Sequence, residues 1–356
     1  MPETFSDVGE CVEAVLRRVG PKIVLALPLG IGKPNPFVNE LYRRVLRDPA
    51  IDLTIITALS LRRPVAKSDL ERRLVEPLVQ RIFGNYVELE YVRALHAGEL
   101  PPNVRLIEFF FEPGACLDLP YAQQNHLCAN YTHVAREVME RGVNVIAHLI
   151  ARRTVAGEMQ LSLGSNPDVT ADLLPVVAAA KASGRDIVLV GEIHPGMPFM
   201  LDQALIAADR FDFLIDDGHT AYDLYCPPNL PIGTVDHAIG LHASALVSDG
   251  GTLQIGIGEL GDALVYALLL RHQQNTAWRA AASALGTERS AVTVDAVGGR
   301  EPFVQGLFGS TEMLVDQMLD LHRAGVLRRH VYDSLVVQKL DRKSTRLNSS
   351  HPYRSR

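Results

Sequence analysis

Runs of Val, Ile and Leu recur along this chain, each separated from the next by a stretch with helical spacing. They cover Ile23–Leu27, Leu53–Thr57, Val104–Phe110, Val143–Ile150, Met159–Leu163, Asp186–Glu192, Phe211–Ile215 and Thr252–Gly256. Ile23–Leu27 is apolar at every position and several others are mostly Val, Ile and Leu, as expected of strands buried on both faces of a helix-covered parallel sheet. Helical patterns fill the gaps at Val8–Val19, Pro36–Arg47, Asn130–Arg141, Thr170–Ala182 and Leu201–Asp209. The alternation predicts an α/β fold with a mostly parallel sheet.

Local signals sharpen this outline. Asn35 followed by Pro36 reads as a helix start, with Asn as N-cap and proline at the first helical position. The preceding Leu29-Gly30-Ile31-Gly32-Lys33-Pro34 joins a strand to that helix. Such a junction can hold an anion on backbone amides, but a tight glycine turn is the better reading. It is not a Walker loop, since no Ser or Thr follows Lys33. Tyr225 to Gly233 contains three prolines and a glycine, which cannot continue a helix or a central strand. A domain boundary is therefore expected there, giving domains 1–225 and 226–341. In the second, Thr234 or Asp236 can cap a helix running to about Val247. A strand at Thr252–Ile257 and a long helical run from Leu260 to about Ala284 follow.

The composition suits this reading. Across 356 residues, 47% are hydrophobic and 21% charged, which excludes a disordered chain and allows two sizeable cores. A net charge of −6 argues against nonspecific nucleic-acid or anionic-membrane binding. The four cysteines, at 11, 116, 128 and 226, form neither a disulfide framework nor a zinc module. The N-terminus lacks a basic region followed by an apolar run, and no apolar stretch reaches the length of a membrane span. A cytoplasmic location is the expectation. Residues 342–356 are basic, polar and aperiodic; they read as a foreign, disordered tail with nothing to pack.

Two stretches could carry chemistry. In the first, Ser310 or Thr311 can cap a helix that places Glu312 in its first turn, where a negative charge interacts well with the helix dipole. Leu314, Val315, Met318, Leu319 and Leu321 would give that helix a buried face. On spacing alone, Glu312 is a structural charge. In the second, Gly250 to Gly258 reads as a strand opening into a glycine turn, followed by Glu259 and Asp262. Gly256 and Gly258 would let backbone amides approach a substrate, or serve only close packing.

Taken together, Ser310-Thr311-Glu312-Met313 with Leu321…Gly325-Val326, and Asp249-Gly250-Gly251-Thr252-Leu253-Gln254-Ile255-Gly256-Ile257-Gly258, resemble the acetyl-CoA hydrolase and CoA-transferase family. The likeness is to acyl-CoA:carboxylate enzymes of the 4-hydroxybutyrate CoA-transferase type. Family members have histidine where Ser310 stands, and a glycine after the aspartate corresponding to Asp316. The resemblance covers about residues 10 to 340 and is densest over 248–327. Met159 to Gly164, and Glu192 to Pro198 with His194 in place of an asparagine, also follow the family and are expected to shape the acyl pocket.

The resemblance implies two CoA-transferase-type (NagB/RpiA-like) open-sheet domains with flanking helices, the second incomplete. It implies Glu312 as a nucleophile that carries CoA as a glutamyl thioester, with Gly256, Gly258 and Gln254 at the substrate or oxyanion. A carboxylate suits that role because it is ionised near neutrality without a general base. Acyl-CoA and a carboxylate would be the substrates, in bacterial acetate or short-chain acid metabolism, with no bound cofactor and a homo-oligomeric full-length protein. Part of the CoA-binding surface would lie downstream of Leu340, which would leave this chain inactive and Leu314, Met318 and Leu321 exposed. Hydrolysis, a sugar-phosphate isomerase of the same superfold and a non-catalytic CoA-binding fragment are the alternatives.

Other constellations fail. His237 and His242 are five apart and do not share a helical face, and no metal-ligating pair occurs among the twelve histidines. Asp216-Asp217-Gly218-His219 fits a capped turn after a strand better than a catalytic site. No glycine-x-serine-x-glycine elbow is present.

Overall fold

The computed structural model describes residues 2–218, 222–226, 230–287, 291–311, 314–332 and 334–341. Glu312, Met313, His219 and residues 342–356, with the expectations attached to them, lie outside these. The chain divides into two compact units, residues 1–227 and 228–356.

In the first unit, elements run β1 (Glu3–Phe5), α1 (Val8–Val19), β2 (Lys22–Leu29), α2 (Asn35–Arg47), β3 (Asp52–Ala58), α3 (Asp69–Phe83), α4 (Glu90–Ala97) and β4 (Val104–Glu108). They continue with α5 (Pro120–Gln124), α6 (Val134–Glu140), β5 (Val145–Val155), β6 (Glu158–Ser162), α7 (Asp168–Ala182), β7 (Val188–Ile193), β8 (Leu205–Ile206) and β9 (Phe213–Ile215). The main sheet has the order β1-β9-β7-β5-β2-β3-β4, with every pair parallel. From β2 the chain winds one way through β3 and β4, and the other way through β5, β7 and β9. Strands β6 and β8 extend β5 as an antiparallel flap.

The apolar runs form strands because helices cover both faces. Alternate residues Leu25, Ile55, Val145, Val188 and Val190 pack with Phe37, Leu41 and Val45 of α2 and Val12 and Val15 of α1. The other set, including Ile56, Ile146, Leu189 and Leu214, packs with Val134 and Val138 of α6 and Leu173 and Val177 of α7. Helix α1 starts where the Asp7 carboxylate accepts the Glu10 amide at 2.9 Å.

Several local expectations are corrected. Asn35 is the first residue of α2 rather than its cap; its side-chain amide instead donates to Tyr86 Oη at 2.8 Å and Val87 O at 2.7 Å. The predicted helix at 201–209 is two short 3-10 turns around β8, because Leu205 and Ile206 pair with Ser162 and Leu161. Helices α3, α4 and α5 come in addition to the expected elements.

The second unit contains α8 (Thr234–Ala245), β10 (Thr252–Ile255), α9 (Glu259–Gln273), α10 (Asn275–Ala284), α11 (Ala291–Val297), β11 (Phe308–Thr311) and α12 (Asp316–Arg323). The expected run from Leu260 to Ala284 is broken at Gln274, whose φ of −133° leaves the helical region. Helices α8 and α9 cross closely at Gly240, where any Cβ would meet Ala263 O at 2.6 Å. Ser310 and Thr311 are strand residues rather than caps, and the next helix begins only at Asp316. Met318 and Leu321 are buried with Ile255, Val265, Leu268 and Val326, which corrects the expectation that they are exposed. Leu314 and Leu319 are each 38% exposed.

Candidate active site

The two stretches singled out in the sequence become neighbouring parallel strands. Strand β10 pairs with β11 in the register Thr252↔Phe308, Leu253↔Gly309, Gln254↔Ser310 and Ile255↔Thr311. Their carboxyl ends therefore lie side by side. Past β10 the chain enters Gly256-Ile257-Gly258, all exposed, before α9 begins. Past β11 the sequence continues directly to Glu312.

The glycines in this turn have separate reasons. Gly258 takes φ +111° and ψ 174°, a conformation that side chains resist. Gly261 lies in the first turn of α9 so close to the loop that a Cβ there would be 2.4 Å from Gly256 O. A Cβ on Gly256 itself would meet nothing within 4 Å, so its neighbourhood is open space. Gln254 is exposed on β10, level with Ser310. Asp262 sits one turn into α9; desolvation and neighbouring Glu259 push its carboxyl pKa up, while a hydrogen bond from Gln317 opposes them.

Two residues to which the sequence reading assigns no role hold this arrangement. The Asp249 carboxylate accepts backbone amides from Val304 at 3.0 Å, Gln305 at 2.9 and 3.0 Å, and Gly306 at 2.9 Å. It thereby fixes the loop that feeds β11. An aspartate before two glycines is a turn signal, and that much was available in the sequence. Arg271 of α9 is buried, donating to the carbonyls of Ser244 (2.8 Å), Val247 (2.6 Å) and Glu301 (2.9 Å). Its guanidinium lies 4.5 Å from the Phe303 ring centre, and burial lowers its pKa to about 10. No spacing rule marks an arginine that serves only carbonyls.

The first unit has its own buried polar groups at the carboxyl edge of its sheet, where open α/β sheets place ligands. Lys33 is fully buried, donating to Ala58 O at 2.6 Å and Leu59 O at 3.1 Å. Burial lowers its pKa to about 8, against the opposing pull of Glu108 and Asp168. Glu108 accepts the Ser60 hydroxyl, and burial raises its pKa. Glu192 is buried against the first turn of α2, and desolvation raises its pKa to about 8. The segments expected at the acyl pocket meet where a Cβ on Gly164 would strike Met197, and just beyond them Ser162 Oγ donates to Met200 O at 2.7 Å. Among the described residues no group of three or more His, Cys, Asp or Glu is arranged to hold a metal ion. Nor, among them, is any helix long and apolar enough to cross a membrane.

This architecture defines a class. The fold matches RipA from Yersinia pestis with a TM-score of 0.54 at 17% identity, covering 91% of this chain and 59% of that one. It also matches the putative α subunit of citrate lyase from Streptococcus mutans, with a TM-score of 0.50 at 11% identity, over 92% of this chain and 55% of that one. At these identities the likeness is one of fold. In sequence the chain is similar to 4-hydroxybutyrate coenzyme A transferase of Clostridium kluyveri, 34% identical over 87 residues. That match spans 24% of this chain and 19% of the relative. No protein-family model matches the chain. Sequence and fold together support a CoA-transferase-like family.

Proposed function

We propose that this chain belongs to an enzyme that transfers CoA between a small acyl-CoA and a carboxylate, with Glu312 as the nucleophile. The observation that carries the reading is the 34% identity with 4-hydroxybutyrate coenzyme A transferase. The parallel pairing of β10 and β11 supports it further, since the strand leading to Glu312 runs beside the strand leading to the open turn at Gly256.

The chemistry balances without a cofactor. The Glu312 carboxylate attacks the acyl-CoA carbonyl; the C–S bond breaks, leaving a mixed anhydride and CoA thiolate. The thiolate attacks the glutamyl carbonyl, releasing the first acid as its carboxylate and forming a glutamyl-CoA thioester. An incoming carboxylate reverses both steps and leaves with CoA. Backbone amides at Gly256 and Gly258, with Gln254, would stabilise the oxyanions; such donors contribute roughly 3–4 kcal/mol each in other enzymes. Water in place of the second acid would make the same site a hydrolase.

The test uses the full-length enzyme to which this chain belongs, with acetyl-CoA and a panel of carboxylates. Borohydride trapping and peptide mass spectrometry should locate a reduced adduct on the Ser310–Arg323 peptide, and Glu312→Gln should abolish both adduct and turnover. An adduct elsewhere, or full turnover in the variant, would overturn the assignment. Acyl-CoA loss that ignores the acceptor acid would identify hydrolysis.

A further inference from the structure

An open cleft of about 680 Å³ lies between the segment that leaves β3 and the side of α3. One wall is the run from Arg63 to Ala66, and the other is α3 between Arg72 and Gln80, with Glu88 also lining the cleft. The size falls in the range of roughly 300–1,000 Å³ usual for small-molecule sites. Its walls are partly apolar: Pro64 and Val65, the latter 82% exposed, stand on one side and Val75 and Pro77 on the other.

The charges of the cleft leave a positive remainder. Glu76 pairs with Arg72 at 3.4 Å, and Asp69 also holds Arg72, at 2.9 Å. Glu88 accepts the Arg63 amide at 3.0 Å and lies 3.8 Å from Arg93. Arg73 is exposed and makes no ion pair or hydrogen bond among the described residues. Arg63 is fixed at the wall by Nη2, which donates to Gly84 O at 3.1 Å and Tyr86 O at 2.6 Å. Its charge is only loosely balanced: Nε has no hydrogen-bond partner, and Glu88 stands 3.9 Å from it. Residues 62–93 as a whole carry seven Arg and Lys against five Asp and Glu, in a chain of net charge −6. An anion is therefore drawn to this part of the surface.

A small anion alone would leave the apolar walls bare, and an apolar molecule alone would leave Arg73 unanswered. A phosphate joined to a flat ring system meets both. We propose that the cleft binds a phosphorylated nucleoside, with its phosphate on the free Arg73 guanidinium and its base between the Pro64–Val65 and Val75–Pro77 walls. A guanidinium suits a phosphate because its planar fork donates to two oxygens at once. The Gln80 amide, at the same cleft, is available to the edge of the base. The site stands independently of the catalytic reading, since it uses no residue assigned there.

Fluorescence polarisation of a mant-labelled ADP, titrated with the intact chain, tests the proposal. Saturable binding with a Kd below about 1 mM is expected. Arg73→Ser should weaken it by about tenfold or more, and so should Val65→Asp, which sets a negative charge against the apolar wall. Arg136→Ser removes an exposed arginine of α6 that does not line the cleft and should leave binding unchanged. Circular dichroism checks that each variant keeps its fold, which these exposed positions allow. Competition identifies the source of the ligand: displacement by ADP but not by coenzyme A assigns a free nucleotide, and displacement by both assigns the nucleotide end of a larger cofactor. Absence of saturable binding up to about 1 mM overturns the proposal. So does binding that Arg73→Ser leaves intact, or inorganic phosphate that displaces the probe as well as ADP does.

Discussion

The Glu192 carboxylate accepts the Phe37 backbone amide at 3.1 Å, so a buried strand residue closes the first turn of α2. A negative charge there would interact well with the helix dipole. Burial outweighs that benefit and raises the carboxyl from its ordinary 4.5 to about 8, with Asp217 adding to the rise and the Phe37 bond opposing it. At neutral pH the group is mostly protonated.

The stability of the first unit should accordingly fall as pH rises through this window. A raised carboxyl pKa gives a contribution fully present below about 4.5 and lost as pH passes through about 8. Each pH unit between those values should cost up to about 1.4 kcal/mol. Urea unfolding at several pH values should show the decline, and Glu192→Gln should remove it. An unchanged slope in the variant would mean that another group carries the effect.

Lys33 should act in the opposite direction at higher pH. Its pKa is depressed from 10.5 to about 8, so its contribution is present above 10.5 and lost as pH falls through about 8. Together the two groups place a minimum in their combined contribution near pH 8. Lys33→Met should abolish the alkaline recovery. It should also cost about 1–3 kcal/mol, because the Ala58 and Leu59 carbonyls lose their buried donor.

Asp249→Ala should destabilise the second unit by about 1–3 kcal/mol, since three backbone amides lose their acceptor. Asp249→Asn, which keeps one oxygen, should lose less. Hydrogen exchange should report faster opening at residues 304–311 in the alanine variant. Unchanged protection there would show that the β11 feed loop does not depend on this carboxylate.

Gly261→Ala should disturb the turn at Gly256 without unfolding the unit. The added methyl meets Gly256 O at 2.4 Å, so the backbone must shift, and overpacking of this kind costs about 1–3 kcal/mol. Turnover of the full-length enzyme, assayed with acetyl-CoA and a carboxylate, should fall more than stability does. Gly256→Ala, which meets nothing within 4 Å, is the control and should perturb the fold less.

The sequence by itself determined the alternating α/β architecture and most strand positions of the first unit. Ile23–Leu27 is apolar at every residue, as burial on both faces requires. The sequence also held the turn chemistry around Asp249 and Gly258, whose backbone demands are local. Tertiary structure decided the rest. Leu205 and Ile206 have helical neighbours in sequence, yet pair with Leu161 and Ser162 some forty residues away. Ser310 and Thr311 look like helix caps until β10 supplies them with a ladder partner. Lys33 and Arg271 are surface residues by type, drawn inward by carbonyls from distant strands and loops. In each case the deciding hydrogen bond or packing partner is remote in the chain, and local spacing contains no record of it.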